Sequence, residues 1–190
     1  MHLIPSLLDL RTLDLIRVTL DLARLSQYTR DGVDPSDHNH YSPDPTMVNN
    51  CWDSYGNHIT EAMLALLTPR FSTVWACDLV PSYSYARYHW SGAELKPHRD
   101  RPSCEYSATV MIHCEPTAWP IYMAGQAVTL APGDAYTYKG GEVEHWREPF
   151  EGTSCLIMTL HWVDRNGPYA SDAYDLRPGL GMPPVRLHNA

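Results

Sequence analysis

The chain has 190 residues, 44% of them hydrophobic and 19% charged, which gives enough apolar surface for one well-cored domain and too much for a disordered segment. Its net charge of −8 excludes a general polyanion binder, since phosphate contacts need clustered Lys and Arg, and no nucleic-acid partner is expected. No apolar run approaches the roughly 18 residues that span a bilayer, so no membrane partner is expected either.

The first residues, "MHLIPSLLDLRTLDL", carry no basic segment before the leucines, and Asp9 and Arg11 interrupt them; they do not read as a signal peptide. Residues 10–26 place Leu10, Leu13, Ile16, Leu20 and Ala23 at helical spacing. Residues 29–56, rich in Asp, Asn, Ser and Pro, read as a long irregular loop. Within it "DHNHY" sets His38 and His40 two apart, a pattern expected of solvated loop histidines rather than of metal ligands. A second helix is expected from about Asn57 to Leu67, capped by Ser54 or Asn57 and ended by Pro69.

Beyond it the period changes to two. Strands are expected at 79–90, 105–113, 119–123, 126–131, 134–139, 143–148 and 154–163, with glycine in several of the connecting turns. From Asp164 the chain is rich in Pro and Gly and reads as an irregular arm. The fold class is therefore mostly β with supporting α-helices, a β-sandwich or jelly roll. One domain is expected over 1–190, with helices and loop at 1–78, the β core at 79–163 and the arm at 164–190. Twelve Tyr and six Trp against two Phe suit a half-wet cavity, because those rings carry a polar tip. The five cysteines are scattered and form no C-x-x-C pair, so the expected home is the reducing cytoplasm, without a disulfide framework.

The residues that carry chemistry lie among these strands. In "ELKPHRDR", His98 and Asp100 point the same way if the segment is extended, while Arg99 points away. His-x-Asp is a common tripeptide and decides nothing alone. His145 in "GGEVEHWREPF" is the best third ligand, and two His with one carboxylate is the facial set of non-haem Fe(II) oxygenases. His113-Cys114-Glu115 is a rival His-x-acid pair for His145, although Glu115 falls at a strand end before Pro116 and should face solvent.

"YSYARYHWSGAELKPHRDRPSCEYS" followed by "LAPGDAYTYKGGEVEHWREPF" resembles the 2-oxoglutarate/Fe(II)-dependent oxygenases, in particular the prolyl-4-hydroxylase-like branch. The resemblance covers residues 79–163. It implies a double-stranded β-helix, cupin-like, with Fe(II) held by His98, Asp100 and His145. It also implies 2-oxoglutarate as co-substrate, O2 as oxidant, and oxidation of an unactivated C–H bond with release of succinate and CO2. The family usually has a basic residue about ten positions beyond the distal His. Here Cys155 or Leu156 stands there, and the next basic side chain is Arg165.

Arg147, two residues from His145 and on the same strand face, is the expected replacement, with Lys139 as an alternative. Tyr88 and His113 match further co-substrate contacts of the family. Arg87, His89, Arg101, Tyr136 and Tyr138 are candidates to meet a prime substrate, expected to be a small molecule or an amino-acid side chain. The missing basic residue keeps open a cupin-like metalloenzyme that does not use 2-oxoglutarate; a non-catalytic β-sandwich binding module is a third alternative.

Overall fold

A computed structural model describes residues 1–38, 48–115 and 118–183. Helix α1 runs Leu10–Asp31, with the Asp9 carboxylate accepting from Thr12 N (2.8 Å) and Gly32 turning left-handed (φ 65°) to end it. It is longer than the spacing of its leucines suggests, because Tyr28 on its last turns is fully buried. Helix α2, His58–Trp75, is capped by Asn57, whose side chain accepts from Ile59 N.

Pro69 does not end α2, contrary to expectation. An interior proline costs about 3 kcal/mol, but continuing the helix buries Phe71 against Trp162 at a ring separation of 4.6 Å. It also brings Trp75 Nε1 to Thr137 Oγ1 at 2.9 Å. Burial of Phe71 alone contributes roughly 1.5–3 kcal/mol. Tertiary packing outweighs the local signal here.

Ten strands form two antiparallel sheets among the described residues. The first has six: β1 (His2–Ile4), β8 (Ala135–Tyr138), β5 (Tyr106–Glu115), β10 (Ser154–Asp164), β3 (Leu79–Trp90) and β2 (Cys51–Tyr55), in that spatial order. The second has four: β4 (Leu95–His98), β9 (His145–Arg147), β6 (Ile121–Met123) and β7 (Gln126–Val128). Strand β2 lies inside the stretch expected to be loop. It is short and half polar, and only its pairing with β3 makes it a strand. β1 and β4 also lie outside the expected strands, for the same reason: three or four residues carry too little alternation to be seen.

The two faces of the large sheet have different partners. On β10, Leu156, Met158, Leu160 and Trp162 pack with Ile16, Leu20, Leu64 and Phe71 into one buried cluster under the helices. Ile157, Thr159 and His161 point the opposite way and line a cavity, together with residues of the small sheet. These two facing sheets are the double-stranded β-helix.

The described part of the C-terminal arm, residues 164–183, is packed and not irregular throughout, with a 3-10 segment at Ala170–Leu176. Arg177 is buried and donates from Nη2 to Glu61 Oε1 (2.7 Å) and to Ser82 O (3.0 Å). Gly181 N donates to the other oxygen of Glu61. Three non-glycine residues before Arg177 (Tyr174, Asp175 and Leu176) are left-handed, a strain the buried contacts must offset. Arg177→Met leaves Glu61 buried without its cation and is expected to cost about 3–5 kcal/mol. Urea denaturation reads this directly, and a loss below about 1 kcal/mol would mean that the arm is not held by this pair.

Candidate metal centre

The register of β4 against β9 puts His98 directly opposite His145, with ring centroids 4.2 Å apart. His98 Nδ1 sits 2.8 Å from Lys96 O and His145 Nδ1 3.0 Å from Val143 O. A carbonyl accepts only, so each Nδ1 carries a proton, and in the neutral ring that a metal would bind it is Nε2 that holds the lone pair. Both Nε2 atoms face Asp100 Oδ1, at 3.6 and 3.5 Å. Two bonds of roughly 2.1 Å meeting between a right angle and the tetrahedral angle span about 3.0–3.4 Å, so the donor set fits one small divalent ion after slight contraction. All three donor atoms lie within 4.8 Å of one another.

Asp100 is held from behind. Its backbone N donates to Gly140 O (3.0 Å), and Ser107 Oγ donates to Oδ2 (3.3 Å). Burial would raise its pKa, but the His98 hydrogen bond and the charges of His145 and His161 prevail and hold it below the usual carboxylate range. Burial keeps the pKa of His145 low, whereas at His98 the Asp100 hydrogen bond overcomes burial and raises it.

Gly140 is required at its position. A Cβ there would lie 2.5 Å from Asp100 Oδ2 and would also collide with Cys104 O. Gly140→Ala should therefore push Asp100 aside and weaken metal affinity about 10- to 100-fold, the usual effect of disturbing an outer-shell support. Competition with a chelator measures this. Gly141→Ala, whose Cβ meets only Asp100 O at 3.7 Å, serves as the control, and equal losses in the two variants would refute the packing argument.

A second cluster, Asp100, Cys104 and His161, shares the carboxylate. It is the weaker metal site. Cys104 Sγ is 2.9 Å from the Tyr83 hydroxyl and burial pushes its thiol pKa above the ordinary range, while His161 Nδ1 is engaged by Ser107 Oγ at 2.9 Å. Burial also lowers the His161 pKa to about 4, so this imidazole is neutral near pH 7.

The triad opens into a cavity of about 200 Å³. Arg147 lies on its wall. The side chain is buried, donates from Nη1 to Trp119 O and lies over the Trp119 ring at 4.9 Å. Burial depresses its pKa, and no carboxylate among the described residues pairs with it. His89, also on the wall, is forced neutral by burial and by the charges of Arg87 and Arg147. Its Nδ1 has no hydrogen-bond partner among the described residues. Arg87 lines the cavity too, with Nε bound to Asp53 Oδ1 at 2.9 Å.

Several expected residues lie elsewhere. Tyr88 is on the other face of β3, donating to Asp21 Oδ1 (2.8 Å) under the helices, because successive side chains alternate and Arg87 and His89 take the cavity side. His113 is also turned away. β10 pairs Leu156 with His113 but Ile157 with Met111, so Ile112 is an extra residue that flips the strand's later side chains. His113 then joins Tyr88 and Asp21 in a shallow surface depression, with Glu115 Oε2 3.9 Å from its Nε2. The rival His-x-acid pair is thus remote from His145.

Lys139 is engaged with Glu142 (3.0 Å) and Tyr136 packs into the apolar clusters; neither lines the cavity. Tyr138 does, with its hydroxyl 3.4 Å from His145 Nε2. Arg101 stands outside, paired with Asp175 of the arm at 2.8 Å and lying over the Tyr83 ring. His38 stacks on Trp90 at 4.2 Å, and His40 lies outside the described residues.

Polar cavity residues that the sequence did not single out are Tyr83, Tyr85, Thr109, Thr159 and His161, beside the apolar Leu95, Ile121 and Ile157. Strict alternation from Ile157 would have found Thr159 and His161. Tyr83 and Tyr85 follow in the same way once Arg87 is placed on the cavity side.

No family model and no curated protein matches the chain. Solved structures do. A Pseudomonas putida prolyl-4-hydroxylase is 16% identical over 86% of this chain and 92% of its own, with a TM-score of 0.58. A viral collagen prolyl hydroxylase from Paramecium bursaria Chlorella virus-1, solved as its 2-oxoglutarate complex, is 10% identical over 85% and 94%, at 0.60. HygX from Streptomyces hygroscopicus, solved with nickel, 2-oxoglutarate and hygromycin B, is 12% identical over 86% and 82%, at 0.61. At these identities the likeness is one of fold.

Proposed function

We propose that the protein is an Fe(II)- and 2-oxoglutarate-dependent oxygenase that oxidises, by hydroxylation in the simplest case, a C–H bond of a small molecule or amino-acid side chain. The observation that carries this is the joint presence, in one cavity, of three converging metal donors and a buried guanidinium with no carboxylate partner among the described residues. A buried unpaired charge is costly, and an anionic ligand removes that cost. The shared fold with structures holding 2-oxoglutarate points the same way.

On this reading His98, Asp100 and His145 hold Fe(II) and leave its cavity side to ligands. When bound there, iron would supply the dioxygen chemistry that couples oxidative decarboxylation of the 2-oxo acid to oxidation of the substrate. The chain's own residues do the rest. Arg147, steadied by Trp119, takes the far carboxylate of 2-oxoglutarate as a bidentate fork. Neutral His89 adds a polar contact beside it. Leu95, Ile121 and Ile157 keep water from that end. Tyr83, Tyr85 and Arg87 line the rest of the wall, where a prime substrate would lie; the bound hygromycin B of HygX makes a polar small molecule the leading class.

The test is succinate production in air from 2-oxoglutarate with added Fe(II), together with the absorption band that anaerobic Fe(II) and 2-oxoglutarate should give. Turnover and the band are expected. Metal uptake without the band would favour a cupin-like metalloenzyme of other chemistry. Neither uptake nor band would favour a binding module.

A further inference from the structure

We infer that Cys114 and Cys155 form a redox-active dithiol whose closure to a disulfide impairs the co-substrate end of the cavity. The register of β5 against β10 pairs these two residues directly. Directly opposed residues of an antiparallel ladder share a face and have Cα atoms roughly 4.5–5.5 Å apart, inside the range a disulfide spans. Both side chains belong to the apolar cluster of Met111, Trp119 and Phe150. Cys155 is fully buried and Cys114 only half-buried, so one thiol can be reached and the other cannot.

The electrostatics divide the roles in the same sense. The Cys155 thiol, then the Trp119 backbone and the Arg147 charge, lower the pKa of Cys114. The partner thiol and burial raise that of Cys155. Cys114 is the attacking thiolate and Cys155 the resolving thiol.

With hydrogen peroxide as oxidant the atoms balance. The Cys114 thiolate attacks one peroxide oxygen, the O–O bond breaks, and a sulfenic acid and one water form after protonation. Cys155 then attacks the sulfenyl sulfur, the S–S bond forms and a second water leaves. Two thiols lose two electrons and two protons, and one peroxide becomes two waters. A dithiol reductant reverses the change.

The consequence falls on Arg147. Closing the pair draws the two sulfurs to about 2.05 Å, next to the Ile112 bulge and within the cluster that contains Trp119. Trp119 in turn supplies the carbonyl and the ring that hold Arg147. Disturbing that support should raise KM for 2-oxoglutarate at least tenfold while changing kcat less. This consequence rests on the proposed role of Arg147; the dithiol itself does not.

The experiment treats the full-length reduced chain with hydrogen peroxide, quenches with catalase, and adds Fe(II) only afterwards. Peptide mapping without reduction should find one cross-link, Cys114 to Cys155, with a mass loss of two hydrogens that dithiothreitol restores. KM for 2-oxoglutarate should rise in the oxidised protein and recover on reduction, and Cys114→Ser should respond to neither treatment. Cys155→Ala is a second variant, should the first not fold. Both thiols remaining open to alkylation after peroxide would overturn the inference. So would a mapped cross-link that leaves KM unchanged. Reduced protein that neither binds nor turns over 2-oxoglutarate would count against the proposed function instead, while the peptide map would still decide the dithiol.

Discussion

Asp100→Ala is expected to reduce succinate formation to the no-enzyme level, a loss of at least about 10³-fold or roughly 4 kcal/mol of barrier. The carboxylate is the one donor that faces both histidines, with Oδ1 3.6 Å from His98 Nε2 and 3.5 Å from His145 Nε2. Without it two neutral imidazoles remain, a poor site for a hard divalent ion. The variant should also fail to take up Fe(II) in equilibrium dialysis, which separates lost metal from lost substrate. Arg99→Ala alters the exposed neighbour on the same loop and should behave as wild type. Substantial turnover by the Asp100 variant would place the metal elsewhere, with the cluster of Cys104 and His161 the first place to look.

The second large effect concerns Arg147. If it binds the far carboxylate of 2-oxoglutarate, Arg147→Met removes one partner of a buried charged pair, a loss of about 2–5 kcal/mol. The expected rise in KM is then roughly 30-fold to several thousand-fold, with a smaller change in kcat. Stability should move the other way. In the ligand-free protein Arg147 is a buried cation without a described carboxylate, so the neutral variant should melt at the same temperature or higher. A residue with only a structural role would show the reverse: lower melting temperature and unchanged KM. Arg147→Lys should recover part of the affinity, since it restores the charge without the planar fork.

Much of this site is legible in the chain because its chemistry is local. His98 and Asp100 are two apart, His145 and Arg147 are two apart, and each pair shares a face by the period of an extended strand. The failures come where a longer-range fact intervenes. Tyr88 looks like a cavity residue by resemblance, but strand alternation turns it under the helices and leaves Tyr83 and Tyr85 facing the cavity. His113 lies an even number of residues from Thr109, which does line the cavity, yet the single extra residue at Ile112 reverses it. Pro69 would stop an isolated helix; Phe71 and Trp75 carry α2 past it because a sheet stands ready to bury them.

Residue types and their short-range spacing were readable from the chain alone: two histidines and a carboxylate as candidate donors, Arg147 two residues beyond His145, and the period-two core from residue 79. Which faces meet is set by the fold. Pairing His98 with His145 across β4 and β9, seating Asp100 against Gly140 and turning His113 outward all depend on register between strands far apart in the chain. Alternation within a strand is fixed by its own backbone geometry. Its absolute sense depends on the neighbour it pairs with, and a one-residue bulge is enough to invert it.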